Sequence, residues 1–234
     1  MFNFYGKYQN IIDNFVNKNT KCIEYYCMKH NFDYINDNIN YYIDVKCFFL
    51  FSKNNLKDNY NFILDAINYN SYLFKYASDN LKNNYNIVLA AIQNNGYNLE
   101  YASDNLKNNY DIVLAAVKNN GYALQFASDN LKNNYDIVLN AVQNNGTSLF
   151  YTSNRLKNDY NIVLTAVKNK GEYLKYASDN LKNNYNIVLN SILHDYNYEV
   201  IFHLHTKFIK NRKLIVNMNN SKHSLKYYKE NMII

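Results

Sequence analysis

The chain has 234 residues, of which 48% are apolar and 19% charged, so it has the composition of a packed soluble protein. It contains 26 tyrosines but no proline and no tryptophan, which excludes collagen-like and proline-rich linker sequences. The net charge of +6 arises from residue 203 onward, which excludes a uniformly basic nucleic-acid groove. The asparagine-rich composition is typical of an AT-rich genome and does not by itself indicate a function.

Residues 1–50 are predicted to form a helical N-terminal cap. The first residues, MFNFYGKYQNIIDNF, lack the basic segment and the continuous apolar run of a secretion signal. The longest apolar run, at residues 47–51, is far shorter than the about 20 residues that cross a bilayer. We therefore expect an intracellular, cytoplasmic protein without membrane association, which for a viral protein means the host cytoplasm.

Three cysteines lie in this cap, and together with a nearby histidine they have the residue types of a zinc site. Cys22, Cys27 and His30 are close in sequence, and Cys47 lies beyond them. The spacing does not match the common paired zinc motifs, and the residues between the cysteines look helical. We therefore expect reduced, buried thiols rather than a bound metal.

A period of 25 residues dominates the chain between residues 51 and 196. Leucine, tyrosine and glycine each recur in a fixed phase of this period. The recurring positions are Leu81, Leu106, Leu131, Leu156 and Leu181; Tyr60, Tyr85, Tyr110, Tyr135, Tyr160 and Tyr185; and Gly96, Gly121, Gly146 and Gly171.

In the unit at residues 121–146, one helix is predicted to begin after Asn134 and to end before Gly146. Position 134 is Asn or Asp in each repeat, and both can accept a hydrogen bond from the free N–H groups of a first helical turn. The apolar residues after Asn134 cover an arc of about 200°, which suits a helix packed between a partner and the next repeat. Gly146 is expected to end the helix in the left-handed conformation.

A second, short helix is predicted over residues 122–127, with Leu124 facing inward and Tyr122 and Gln125 facing outward. Ser128 can cap the turn that follows. Two short helices per 25 residues cannot bury their apolar faces alone, so stacking must supply the core. The predicted fold is therefore all-α, an α-solenoid of about five to six stacked two-helix repeats with degenerate end caps.

The string YASDNLKNNYDIVLAAVKNNGYAL resembles the repeat family known as domain of unknown function 4116. The units of that family run as a short helix, a leucine-containing turn, an Asn-Asp-type cap and an IVLAAV helix ended by glycine. The resemblance covers about residues 56–196, with weaker echoes to residue 218. It implies the fold and a source among large DNA viruses, protists or bacteria. It transfers no catalytic residue, because the family has no assigned activity.

Residues 197–218 are predicted to form a degenerate C-terminal repeat or cap, and residues 219–234 a basic tail. Cations in the segment 203–234 could contact phosphates or an acidic partner in a salt-sensitive manner, while a solvated end is the competing interpretation. These cations are Lys207, Lys210, Arg212, Lys213, Lys222, Lys226 and Lys229.

The sequence offers little basis for catalysis, since it contains no GxSxG, P-loop, GxGxxG or HExxH motif. An aspartate recurs in the SDN segments, but residues repeated in every unit usually serve the structure of each unit. His203 and His205, even with His194, lack an evident third metal ligand. We therefore expect a non-catalytic protein without a metal or a cofactor.

The outward residues of the short helix vary from repeat to repeat in charge, size and polarity. The pairs are Tyr97 and Glu100, Tyr122 and Gln125, Thr147 and Phe150, and Glu172 and Lys175. Drift on an unconstrained surface would give the same pattern, but Phe150 among polar neighbours is typical of an interface anchor. The leading hypothesis is a scaffold that binds another protein through this face. Nucleic-acid or acidic-partner association through residues 203–234 is the alternative, and the oligomeric state stays open.

Overall fold

A computed structural model describes residues 54–194 of the chain. Between these residues every regular element is helical, in agreement with the predicted all-α repeat fold. The predicted N-terminal cap with Cys22, Cys27, His30 and Cys47, the degenerate repeat at 197–218 and the tail at 219–234 lie outside the described residues.

Five described repeats each contain a four-residue α-helix, a long α-helix and a 3₁₀ helix, in that order, and the sixth is described as far as its long helix. The four-residue helices are Asn54–Lys57, Asp79–Lys82, Asp104–Lys107, Asp129–Lys132, Asn154–Lys157 and Asp179–Lys182. The long helices are Tyr60–Tyr69, Tyr85–Asn94, Tyr110–Asn119, Tyr135–Asn144, Tyr160–Asn169 and Tyr185–Leu193. The 3₁₀ helices are Ser71–Tyr76, Gly96–Tyr101, Gly121–Phe126, Gly146–Tyr151 and Gly171–Tyr176.

The predicted short helix at residues 122–127 is thus a 3₁₀ helix, and the SDNLK turn after it is a helix of its own. A 3₁₀ helix is wound more tightly than an α-helix, with hydrogen bonds between residues three apart. Such bonds are found at both ends, where the Ala123 N–H donates to the Asn120 carbonyl and the Ala127 N–H donates to the Leu124 carbonyl. Leu124 is buried and Tyr122 is exposed, as predicted.

Side-chain caps begin the helices, as the sequence predicted. The Asn134 side chain accepts from the Ile137 N–H at 3.1 Å, and the Ser128 hydroxyl accepts from the Leu131 N–H at 3.4 Å. Asn145 caps the following 3₁₀ helix by accepting from the Thr147 N–H at 3.0 Å. One short polar residue therefore starts each of the three elements in this repeat, which explains why asparagine and serine recur at these positions. The 3₁₀ helix Gly171–Tyr176 is an exception, because Lys170 before it provides no side-chain cap.

The prediction that the phased glycines end the long helices in left-handed conformation is wrong for Gly121 and Gly146. Neither has a positive φ, and the residue before Gly146, Asn145, is extended with φ −150°. Both glycines are buried at the start of a 3₁₀ helix. A Cβ atom on Gly121 would press against the carbonyl oxygen of Ala141 in the next long helix. Glycine is therefore needed here for close packing between repeats.

The chain divides into two compact units, Met1–Ala116 and Val117–Ile234. In the first unit, the long helices Tyr60–Tyr69 and Tyr85–Asn94 pack against each other and against the 3₁₀ helix that joins them. In the second unit, the long helices Tyr135–Asn144, Tyr160–Asn169 and Tyr185–Leu193 each pack on the next in chain order. Within each unit the helices therefore form a repeat stack.

The core of each unit is a column of small branched side chains from the long helices. Ile137, Val138, Ala141 and Val142 are all fully buried, which confirms the predicted apolar arc. Burying one such side chain contributes about 1.5–3 kcal/mol, so stacking supplies the stability that a single unit lacks. Within residues 54–194, no helix is both long and apolar enough to span a bilayer.

Hydrogen bonds also join successive four-residue helices. The Ser153 hydroxyl bonds Asn133 Oδ1 at 2.7 Å, and the Ser153 N–H donates to the Lys132 carbonyl at 3.0 Å. Ser178 makes the same pair of bonds to Asn158 and Lys157. We call this series the serine ladder. Because each serine also caps its own helix, one residue fixes both the start of a helix and its position on the previous repeat.

Candidate functional site

The outward residues predicted as a binding face all lie on the 3₁₀ helices. Their exposure varies widely: Phe150, Tyr122 and Lys175 are exposed, and Tyr97, Glu100, Gln125, Thr147 and Glu172 are half-buried. In the second unit this face carries a group of four aromatic rings, whereas the first unit has tyrosines at only two of the equivalent positions, Tyr76 and Tyr101.

The rings of Phe150, Tyr151, Tyr173 and Tyr176 form this group, which we call the aromatic cluster. The Phe150 ring meets the Tyr151 and Tyr176 rings edge-to-face, with centroids 5.1 and 5.2 Å apart. Tyr173 stacks on Tyr176 with centroids 6.4 Å apart. Phe150 is nevertheless 52% exposed. Its neighbours hold the ring in one orientation while leaving half of it in solvent.

Two lysines lie over rings of the aromatic cluster. Lys157 Nζ is 5.5 Å from the centre of the Phe150 ring, and Lys175 Nζ is 4.9 Å from the centre of the Tyr176 ring. Both distances are within the range of cation–π attraction. Partial burial lowers the pKa of Lys157 below the usual lysine value, because the ammonium form loses solvation.

One change in the repeat explains why Lys157 is directed at Phe150. In the neighbouring repeats the equivalent lysines pair with an aspartate three residues earlier, as Lys132 does with Asp129 at 3.8 Å and Lys182 with Asp179 at 3.6 Å. Position 154 is Asn instead of Asp, so Lys157 has no such carboxylate. Lys157 was not among the residues predicted from the sequence, although the change from Asp to Asn at position 154 is visible when the repeats are compared.

The residue after Asn154 adds a second positive charge to the same helix. Arg155 stands where the other repeats have Asn, and its guanidinium bonds the Asn133 side chain at 2.8 Å and the Asn133 carbonyl at 2.6 Å. The group therefore reinforces the serine ladder and raises the positive potential beside Lys157.

The same face of the first unit has a different character. Lys75 Nζ lies 4.8 Å from the centre of the Tyr76 ring, but the next repeat places the acidic Glu100 beside Tyr101. Burial, the hydrogen bond with Glu100 and its negative charge together raise the pKa of Tyr101 above 10.0. Charges of both signs thus occupy this face in the first unit. In the second unit two lysines accompany the aromatic cluster, and the acidic Glu172 of the same face pairs with Lys170.

The inward position of the 3₁₀ helix varies from repeat to repeat more than the sequence pattern predicted. It is fully buried Ala123 in one repeat and fully buried Ser148 in the next, while Tyr173 in the following repeat joins the aromatic cluster. The Ser148 hydroxyl has no hydrogen-bond partner, and neither has Oδ1 of Asn98 at the equivalent position in the first unit. Residues that face the core therefore differ between repeats together with the surface residues.

In the described part of the chain, no group of three or more His, Cys, Asp or Glu side chains is placed to hold a metal ion. The cysteines with His30, as well as His203 and His205, lie outside the described residues. So do the cations of the nucleic-acid alternative, namely Lys207, Lys210, Arg212, Lys213, Lys222, Lys226 and Lys229.

The sequence model of one repeat family, described as domain of unknown function (DUF4116), matches residues 59–107, 109–157 and 159–233. These matches cover well over half of the sequence. The chain belongs to this family. The DUF4116 matches at residues 59–107 and 109–157 each contain two of the 25-residue repeats, so the family unit corresponds to a pair of structural repeats. No curated protein and no solved structure gives a significant match.

Proposed function

We propose that this DUF4116 chain is a non-catalytic scaffold that binds another protein through its 3₁₀-helix face, with Phe150 as the central anchor. The exposure of Phe150 carries the proposal. A large aromatic side chain that stays half in solvent is not fully buried within its own chain, and aromatic residues, including phenylalanine, are enriched at protein–protein interfaces.

The fixed orientation of Phe150 supports this role. The ring is braced by Tyr151 and Tyr176, so a partner that covers it would lose little further side-chain entropy in Phe150 itself. The equivalent position in the previous repeat is Gln125, which shows that the fold does not require an aromatic residue there. The aromatic residue at position 150 is thus available for a purpose other than folding.

The constant residues of the repeat support a scaffold in which function lies in the variable face. Asn134 and Ser128 cap helices, Gly121 allows close packing, and Leu131 fills the core. Because these recurring residues have structural tasks, the residues that change between repeats on the 3₁₀ face are available for recognition. Repeat stacks commonly present such extended surfaces to partners.

The experiment is affinity capture from the source cells with the full chain as bait, after nuclease treatment. We expect defined protein partners that are lost with Phe150→Gln and reduced with Lys175→Gln. Tyr135→Gln is the matched control, because Tyr135 is an exposed aromatic residue at the start of a long helix and lies outside the 3₁₀ face. Capture that is unchanged by Phe150→Gln, or lost equally with Tyr135→Gln, would refute the proposal.

A further inference from the structure

We infer that the aromatic cluster and its two lysines bind an acidic peptide segment that carries an apolar side chain. This inference rests on the proposed function and specifies the chemistry of the partner at the same surface. The apolar side chain would pack on the exposed part of Phe150, and flanking carboxylates would pair with Lys157 and Lys175.

The charge of the repeat that supplies Phe150 favours an acidic partner. Residues 146–160 contain Arg155, Lys157 and Asp159, whereas the equivalent residues 121–135 contain one lysine and one aspartate. The carboxylate of Asp159 accepts from the N–H groups of Asn161 and Ile162 at 3.0 Å and caps the long helix, so it is directed at the backbone. The net charge of residues 146–160 is +1, against zero for residues 121–135.

The lysines of the cluster have no competing acidic partner in the described part of the chain. Lys157 and Lys175 each lie over a ring, and between residues 54 and 194 neither forms an ion pair. Glu172, the acidic residue nearest to them in sequence, pairs with Lys170 at 2.9 Å. Partner carboxylates would therefore meet ammonium groups that no carboxylate of this region neutralises.

The geometry of the rings favours a peptide over single-stranded nucleic acid. Base stacking needs an open aromatic face, but Lys157 lies over one face of Phe150 and Lys175 lies over Tyr176. Edges of aromatic rings carry partial positive charge, so they attract carboxylates as the ammonium groups do. An aliphatic side chain can pack on the part of Phe150 that stays exposed, and the neighbouring ammonium groups can pair with carboxylates.

The test is fluorescence anisotropy with the full chain and a labelled glutamate-rich peptide that has one central leucine. We expect saturable binding that weakens as salt increases. Phe150→Gln should weaken it at least about tenfold, and Lys157→Gln about two- to fivefold. Tyr135→Gln is the matched control, because it removes an exposed aromatic residue at the start of a long helix, outside the 3₁₀ face, and should leave the affinity unchanged.

Several results would overturn the inference. They are no saturable binding, equal binding of a lysine-rich peptide with the same leucine, tighter binding of a single-stranded oligonucleotide at Phe150, or an equal loss with Tyr135→Gln. Gln occurs naturally at position 125, so Phe150→Gln retains the fold, which an unchanged melting temperature confirms. If the peptide does not bind while protein capture still depends on Phe150, the partner chemistry is wrong and the proposed function stands.

Discussion

A glycine can follow a helix because its backbone is left-handed or because close packing leaves no room for a Cβ atom. Replacement of Gly121 distinguishes these two reasons. The structure assigns Gly121 to close packing, because an added Cβ would press on the Ala141 carbonyl and lie 3.0 Å from Cβ and N of Asn145. Two of these three neighbours are backbone atoms, which cannot rotate away. Overpacking of this kind costs about 1–3 kcal/mol, and the lower entropy of the unfolded alanine chain returns about 0.4–1 kcal/mol.

Gly121→Ala should therefore lower the free energy of unfolding by about 1–2 kcal/mol. For a chain of this length, each kcal/mol lowers the melting temperature by about 2–4 °C. Gly121→Asn should cost more than Gly121→Ala, because asparagine is larger. Thermal unfolding followed by circular dichroism measures both variants. If Gly121→Asn is as stable as the unchanged chain, the glycine serves a left-handed backbone, which asparagine tolerates, and the packing argument is wrong.

Gly146 provides the internal control, because the atoms nearest to an added Cβ there belong to a side chain and not to the backbone. An added Cβ there would lie 2.5 Å from Cδ2 of Tyr173, while the Ala166 carbonyl is 3.1 Å away. Gly146→Ala should therefore cost less stability in the Tyr173→Ala background than in the unchanged chain. If Gly146→Ala lowers the free energy of unfolding by the same amount in both backgrounds, the contact between the added Cβ and the Tyr173 ring is not the cause of the loss.

Three further predictions concern single contacts. Ser148→Ala removes a buried hydroxyl that has no partner and should raise the free energy of unfolding by about 1 kcal/mol, measured by urea denaturation; a loss would show that the hydroxyl is satisfied. Ser153→Ala removes a helix cap and a rung of the serine ladder and should cost about 1–2 kcal/mol, where a cost near zero would contradict the ladder. Glu100→Gln should lower the pKa of Tyr101, observed by NMR titration of labelled tyrosines. Because the pKa of Tyr101 is raised in the folded state, its contribution to stability is present below pH 10.0 and is lost as the pH rises above that value; an unchanged pKa would show that Glu100 has no part in the shift.

The repeat fold was predictable because its signals are local and recur six times. Asn134 predicts the start of a helix because its side chain can cap the first turn, and the apolar arc that follows indicates which face is buried. The 3₁₀ geometry at Gly121–Phe126 was not predictable from the same pattern, because six residues are too few to distinguish a period of 3.0 from one of 3.6. The role of Gly121 was missed for a different reason, since its neighbour Ala141 lies 20 residues away and only stacking brings them together.

The candidate site was predictable in part. The alternation of inward and outward residues placed Phe150 on the surface, and the structure confirms its exposure. Tyr173 was not expected to join it, because the repeat phase assigns that position to the core. A lysine is present at the position of Lys157 in every repeat, so its identity alone does not indicate a functional site. Only its missing partner at Asn154 marks it as different, and its direction toward Phe150 depends on side-chain packing between elements.

Site-specific photo-crosslinking in the source cells tests the central claim most directly. A benzophenone amino acid incorporated at position 150 of the full chain would report what covers the aromatic cluster, and the same group at position 135 is the matched control on another surface. The account predicts a discrete protein adduct at position 150 that is absent at position 135. No adduct at position 150, an adduct to nucleic acid, or the same adducts at both positions would contradict it.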